Sequence, residues 1–223
     1  MKTTYMMVAV LSALVVHGVS AQQVSFPGLG DARHLVSVQG GFDHGSYYGL
    51  SYGYVLNNTV LPMVIGSELT VPFGNDVTDD WKWKTGVEAA LLQHGALSVT
   101  FKPSVIARRY ESPLVRLYNF GVDIALNIGY VRPRWGAVAV AGFDKAVVTH
   151  FKHGLLRDYY PDIQDGWFLP TGGNFRFGAR MQYSTGRWTS FVTVGKQYGQ
   201  DFEDNPRVPI YCEFSLQTKI GRR

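Results

Sequence analysis

His150 and His153 stand three residues apart, and Asp158, Asp162 and Asp165 follow them closely; Asp79-Asp80 sits in another polar stretch. A histidine steered by a carboxylate can take a proton from water or from a hydroxyl. His150, His153 and Asp158 are therefore the candidates for a hydrolytic site. The same two imidazoles could begin a metal site, but such a site needs a third and fourth ligand at defined spacing, and the sequence marks none. No metal and no other cofactor is expected. The ingredients of catalysis occur here without a motif, so a structural or binding role ranks ahead of an enzyme.

A larger set of charged residues falls into a pattern. Glu68, Lys84, Glu88, Lys102, Asp123, Arg176, Arg180, Glu213 and Lys219 lie within stretches that alternate in polarity residue by residue. Leu117 to Tyr130 is the clearest case. Tyr118, Phe120, Val122, Ile124, Leu126, Ile128 and Tyr130 occupy one face, and Asn119, Gly121, Asp123, Ala125, Asn127 and Gly129 the other. A strand's side chains have a period of two, so this segment is a strand with one wholly apolar face. Aromatics at its ends and aliphatics in its middle suit a bilayer crossing. The opposite, charged face would then line a lumen. The signs nearly balance there, which favours a salt-bridged plug over an open channel. Asp144 joins this set if Val138 and Val140, rather than Ala137, Ala139 and Ala141, face inward.

Such strands recur. They begin near Leu35, Tyr47, Met63, Trp81, Leu97, Leu117, Trp135, Phe175, Trp188 and Tyr211. About ten are expected, several of them long enough for a tilted crossing of roughly 9–11 residues; eight would also fit the pattern. Asn57-Asn58-Thr59, Gln93-His94-Gly95, Arg132-Pro133-Arg134 and Thr185-Gly186 read as short turns. Longer polar connections are expected near 74–80, 108–115, 152–173 and 199–208, with Asp43-His44-Gly45 a short exception. Alternation of short and long connections marks an up-and-down barrel with its short turns in the periplasm. Threading the chain that way puts Tyr54, Tyr130, Trp135, Tyr183 and Trp188 at one rim. Phe73, Trp81, Trp83, Tyr118, Phe120, Phe175, Phe177 and Tyr198 fall at the other.

The first 21 residues read as a cleaved export signal, with Lys2, an apolar core from Met6 to Val16, and a small-residue site at Val19-Ser20-Ala21. Residues 22–33 are expected to form a periplasmic N-terminal segment and 34–223 the barrel. The formal charge of +4 is spread along the chain, so nucleic acid is not an expected partner. Cys212 is the only cysteine, which leaves no intrachain disulfide, and its parity turns it toward lipid.

Taken together, the alternating strands, girdles and turn lengths make this chain resemble a small bacterial outer-membrane β-barrel protein, all-β and antiparallel. The resemblance covers the mature chain from about Leu35 and is one of class rather than of a specific family. It implies a multi-pass protein of the outer membrane of a Gram-negative cell. The implied partners are outer-membrane lipid and lipopolysaccharide, the barrel-insertion machinery, and an extracellular protein or glycan ligand. One departure concerns the insertion machinery: such barrels usually end their last strand on an aromatic residue, whereas this chain ends Ile220-Gly221-Arg222-Arg223. The expected role is a plugged barrel acting structurally or through external loops, where Tyr159, Tyr160, Trp167 and Phe168 are the recognition candidates. A narrow, weakly selective, porin-like pore is one alternative; the other, which the resemblance implies, is an outer-membrane enzyme, a protease or a lipid A-modifying one, with its site at the external rim around His150, His153 and Asp158.

Overall fold

The computed structural model describes residues 23–43, 45–56, 61–73, 79–170, 172–200 and 209–221. The expected export signal and the expected turn at Asn57-Asn58-Thr59 lie outside these, as do His44 and most of the 74–80 and 199–208 connections. The strands are β1 (His34–Asp43), β2 (Ser46–Leu56), β3 (Met63–Pro72), β4 (Trp81–His94), β5 (Leu97–Glu111), β6 (Val115–Val131), β7 (Trp135–His153), the short β8 (Gly166–Phe168), β9 (Gly173–Thr185), β10 (Trp188–Gly199) and β11 (Ile210–Ile220). A single helical turn, α1, covers Leu156–Tyr159.

Ten strands close into one antiparallel ring. Each pairs with its neighbour in sequence except across β8, which hangs on the overhang of β7 while β7 pairs onward with β9. Closure is made by β11 against β1, with His34 opposite Ile220 and Asp43 opposite Tyr211. A closed ring leaves no unpaired strand edge, which is what permits a sheet to sit in hydrocarbon.

The period of two sorts the side chains. Leu50, Ile65, Val105, Val122, Ile124, Leu126, Ile128, Val192 and Phe214 are all exposed on the outer surface. Tyr54, Tyr130, Trp135, Tyr183 and Trp188 are exposed at the end that carries the short turns. Trp83, Phe120 and Phe177 are exposed near the other end, and Trp81, Tyr118, Phe175 and Tyr198 are partly exposed there. Inside, Ser37, Ser51, Thr100, Asn127, Gln182, Thr189 and Gln217 are buried alongside the charges. In β7, Ala137, Ala139 and Ala141 are on the outward face, while Val138, Asp144 and Ala146 are buried within.

Two bulges break this parity. Between Ala90 and Leu92 the β4–β5 register shifts, so Leu91 and Leu92 are both exposed, although alternation alone would turn Leu92 inward. Between β6 and β7, Phe120 pairs with Val148 and Gly121 with Ala146, leaving Val147 unmatched. An extra residue of this kind flips every side chain beyond it.

Two expectations need correction. The 108–115 stretch is not a long loop, because β5 and β6 run on and leave only residues 112–114 between them. The 152–173 connection is partly structured, holding the end of β7, α1 and β8. Residues 23–32 are also in contact with the inner wall of the barrel. They fold back into its short-turn end, because Val24, Phe26 and Leu29 pack on Leu35, Val55, Val64 and Ala90, an apolar patch of the inner wall. Burying both surfaces together removes them from water.

Tyr211 illustrates how the wall is shaped. Its ring lies over Gly195 and Gly178, its cross-strand neighbours. A Cβ on Gly195 would stand 2.3 Å from the Phe177 carbonyl oxygen and 2.5 Å from Tyr211 Cε1. Gly195→Val is expected to prevent closure, seen as loss of the compact, heat-sensitive gel band of the unboiled protein. Gly45→Ala, with nothing within 4 Å of the added carbon, should retain the band. Equal bands from both variants would contradict the packing.

Candidate functional site

The lumen holds two layers of charge. In the layer nearer the long connections, Asp123 on β6 is fully buried and accepts from Lys84 Nζ at 2.5 Å and from Arg176 Nη2 at 2.5 Å. These three residues come from β4, β6 and β9, so the carboxylate ties one wall of the barrel to the other. Asp144 on β7 pairs with Arg108 Nη2 at 2.5 Å and accepts from Asn174 N and Nδ2, both at 3.2 Å. Lys82 is buried in the same layer.

Nearer the short turns lie Glu68, Glu88, Lys102, Arg180 and Glu213, all buried. Thr100 Oγ1 donates to Glu88 at 2.9 Å, and the Tyr47 hydroxyl donates to Glu213 at 2.9 Å. The Arg180 guanidinium lies 5.9 Å from the centre of the Phe191 ring. Lys219 lies at the barrel end, where its Nζ donates to the Gly28 carbonyl at 2.7 Å.

The N-terminal segment enters this lower layer. Gln23 Nε2 donates to Thr193 Oγ1 at 3.1 Å and also to Glu213. Gln217 Nε2 donates to the Gln23 carbonyl at 2.9 Å, and Gln182 Nε2 to Ser25 Oγ at 2.6 Å. Gln23 thus reaches a residue seven positions along β11 from its Ile220 end. A cavity of about 40 Å³ remains between Gln23, Glu88, Lys102, Arg176, Arg180 and Glu213. Another of about 10 Å³ lies beside Val24 and Phe26. The larger has room for a few waters, which would serve the buried Gln23 Oε1, Glu88 Oε2 and Arg180 Nε atoms.

The rim histidines do not converge. The bulge at Val147 turns His150 outward, where its ring meets Trp167 edge-on at 4.9 Å. His153, three residues on, has the opposite parity. Its Nδ1 lies 3.0 Å from Asp165 Oδ1, and its backbone N–H donates to the same oxygen at 2.8 Å. That backbone bond, with the imidazole contact, holds the Asp165 carboxyl below its usual range. Asp158 belongs to α1 and makes no contact with either imidazole. The recognition candidates divide as well. Tyr159 and Tyr160 are exposed at α1. Trp167 and Phe168 belong to β8, one ring beside His150 and the other edge-on to Phe151 at 5.1 Å.

Sequence reading passed over four lumen residues. Lys82 and Arg108 share the parity of Lys84 and Lys102, so alternation carried a signal for them. Tyr47 also lies on an inner face. Gln23 had no such signal, since its segment is not a strand.

No family model and no curated protein matches this chain. Among solved structures it is similar to the KdgM porin in complex with disordered oligogalacturonate, at 10% identity over 84% of this chain and 99% of that one, TM-score 0.41. A second KdgM porin structure gives 9% identity over the same shares, TM-score 0.40. LpxR from Salmonella typhimurium gives 12% identity over 92% of this chain and 80% of that one, TM-score 0.33. With an apolar exterior bounded by aromatic girdles and a charged interior, the chain is a closed antiparallel β-barrel of ten strands.

Proposed function

We propose that this protein is a sealed outer-membrane barrel, a rigid scaffold that acts through its external face rather than through its lumen. The observation that carries this reading is the filling of the interior. The paired charges of Lys84, Asp123, Arg176, Arg108 and Asp144 occupy one layer, and residues 23–32 occupy the next. Two cavities among the described residues of this interior, about 40 and 10 Å³, have room for waters only. The external segment with Tyr159 and Tyr160 is the proposed contact for a protein or glycan. Export by cleavage after Ala21, handling by the insertion machinery of a Gram-negative cell, and a short-turn end facing the periplasm complete the reading.

Planar-bilayer recording tests it. Purified barrel is expected to give no conductance steps; regular steps from the wild-type protein would overturn the sealed reading. A second reading, a narrow pore opened when the N-terminal segment withdraws, is favoured by the way the segment is held, by side-chain hydrogen bonds and a small apolar patch rather than by strand pairing.

A further inference from the structure

We propose that the outward face of β6 and β7, at the end carrying the long connections, binds a phosphate of lipid A. The inference rests on the outer-membrane reading above and adds a lipid site to it.

Strand register builds three outward rows there. In the row nearest the membrane, Ala107, Phe120 and Val148 are neighbours, with Trp83 beyond on β4. The next row runs Trp81, Arg109, Tyr118, His150, Trp167 across five strands. Above it come Glu111, Arg116 and Lys152. The surface therefore passes within three rows from apolar, through aromatic, to charged, which is the order a lipid presents from acyl chain to headgroup.

Charge in the top row is not balanced locally. Arg116 and Lys152 are directly opposite each other on the same face, an arrangement that is unfavourable when nothing negative lies between them. Glu111 is the acid at hand, but it is shared: it pairs with Arg116 and, at 2.5 Å, with Arg109 Nη2. The hydrogen bond from Arg116 leads in keeping its carboxyl below the ordinary range. Asp79, 3.6 Å from Arg109, lies on the β4 side, away from Lys152. Asp165 is taken by His153 and by Arg157 at 3.0 Å. Among the described residues, no acid stands within ion-pair distance of the exposed Lys152.

A phosphomonoester between Arg116 and Lys152 would supply the missing anion through charge-assisted hydrogen bonds. His150 and Tyr118 lie one row below, and the rings of Trp167 and Phe120 lead down to the hydrocarbon, 6.2 Å apart at their centroids. Sugar rings present C–H faces that stack on such aromatics. With the long connections outside the cell, the lipid at this level is the phosphorylated glycolipid of the outer leaflet, and we commit to it over a phospholipid.

The test is native mass spectrometry of the full-length processed barrel in detergent with EDTA, titrated with lipid A, with enzymatically dephosphorylated lipid A and with phosphatidylglycerol. Wild type should bind lipid A more tightly than either comparator. The double variant Arg116→Gln, Lys152→Gln should weaken lipid A binding about thirtyfold while keeping the compact, heat-sensitive gel band. Equal binding by variant and wild type would overturn the site. Equal affinity for phosphatidylglycerol would overturn the choice of lipid. If the wild-type protein lacked the compact band and fractionated as soluble, the outer-membrane reading itself would have failed, a result separable from both.

Discussion

Replacing Asp123 by asparagine is expected to be the most destabilising conservative change in the barrel, at about 3–5 kcal/mol. The side chain keeps its volume but loses its charge. Lys84 and Arg176, each nearly fully buried and each 2.5 Å from the carboxylate, are then left as uncompensated cations in a confined space. Their desolvation was offset by this one acid, so the cost exceeds that of losing two ordinary hydrogen bonds. Urea unfolding of the folded barrel in detergent, followed by tryptophan fluorescence, measures it. A second variant separates charge from packing: Lys84→Met in the Asp123→Asn background should recover part of the loss, because neighbours in one network are not additive. An unchanged unfolding midpoint in Asp123→Asn would mean that the network does not hold the wall together.

The second large effect concerns the N-terminal segment. Deleting residues 24–30, with everything up to Gln23 retained, is expected to change a silent barrel into one that gives conductance steps in a planar bilayer. The deletion removes Val24, Phe26 and Leu29 from Leu35, Val55, Val64 and Ala90. It also frees Gln182 and Lys219 from Ser25 and Gly28. Water would then fill the lower half of the lumen and hydrate the Asp123 layer, opening a path for small ions past its charges. Wild type and deletion should share the compact gel band, because the ring of strands is intact without the segment. Silence from a folded deletion variant would show that the paired charges alone seal the lumen, and the second, gated reading would fall.

Much of the barrel was legible because its physics is local. Alternation such as that of Leu117 to Tyr130 states which face meets lipid and which meets the lumen, wherever the strand happens to stand in the ring. The inward placement of Glu68, Lys84, Glu88, Lys102, Asp123, Arg176, Arg180 and Glu213 follows from that parity. Local pattern is silent on what breaks it. The bulge at Val147 sends His150 out to Trp167, and the one at Leu91 turns Leu92 out. Neither is signalled by Gly or Pro at those positions, since each arises from the register of a neighbouring strand. The loop end of β5 and β6 was misjudged for a related reason. Arg108, Arg109, Glu111 and Arg116 look like loop residues by composition, but on a strand that overhangs the membrane both faces accept polar side chains.

By itself, then, the chain's two-residue period determined a ring of antiparallel strands with an apolar outside, a charged inside and aromatic rims, because each strand carries both solvent preferences in its own alternation. Tertiary structure alone decided which charges meet. Asp123 is paired by residues 39 and 53 positions away along the chain, and barrel closure fixes that distance. It alone also decided that residues 23–32 enter the lumen, since their few apolar side chains gain a burial site only once Leu35, Val55, Val64 and Ala90 have been gathered on one wall.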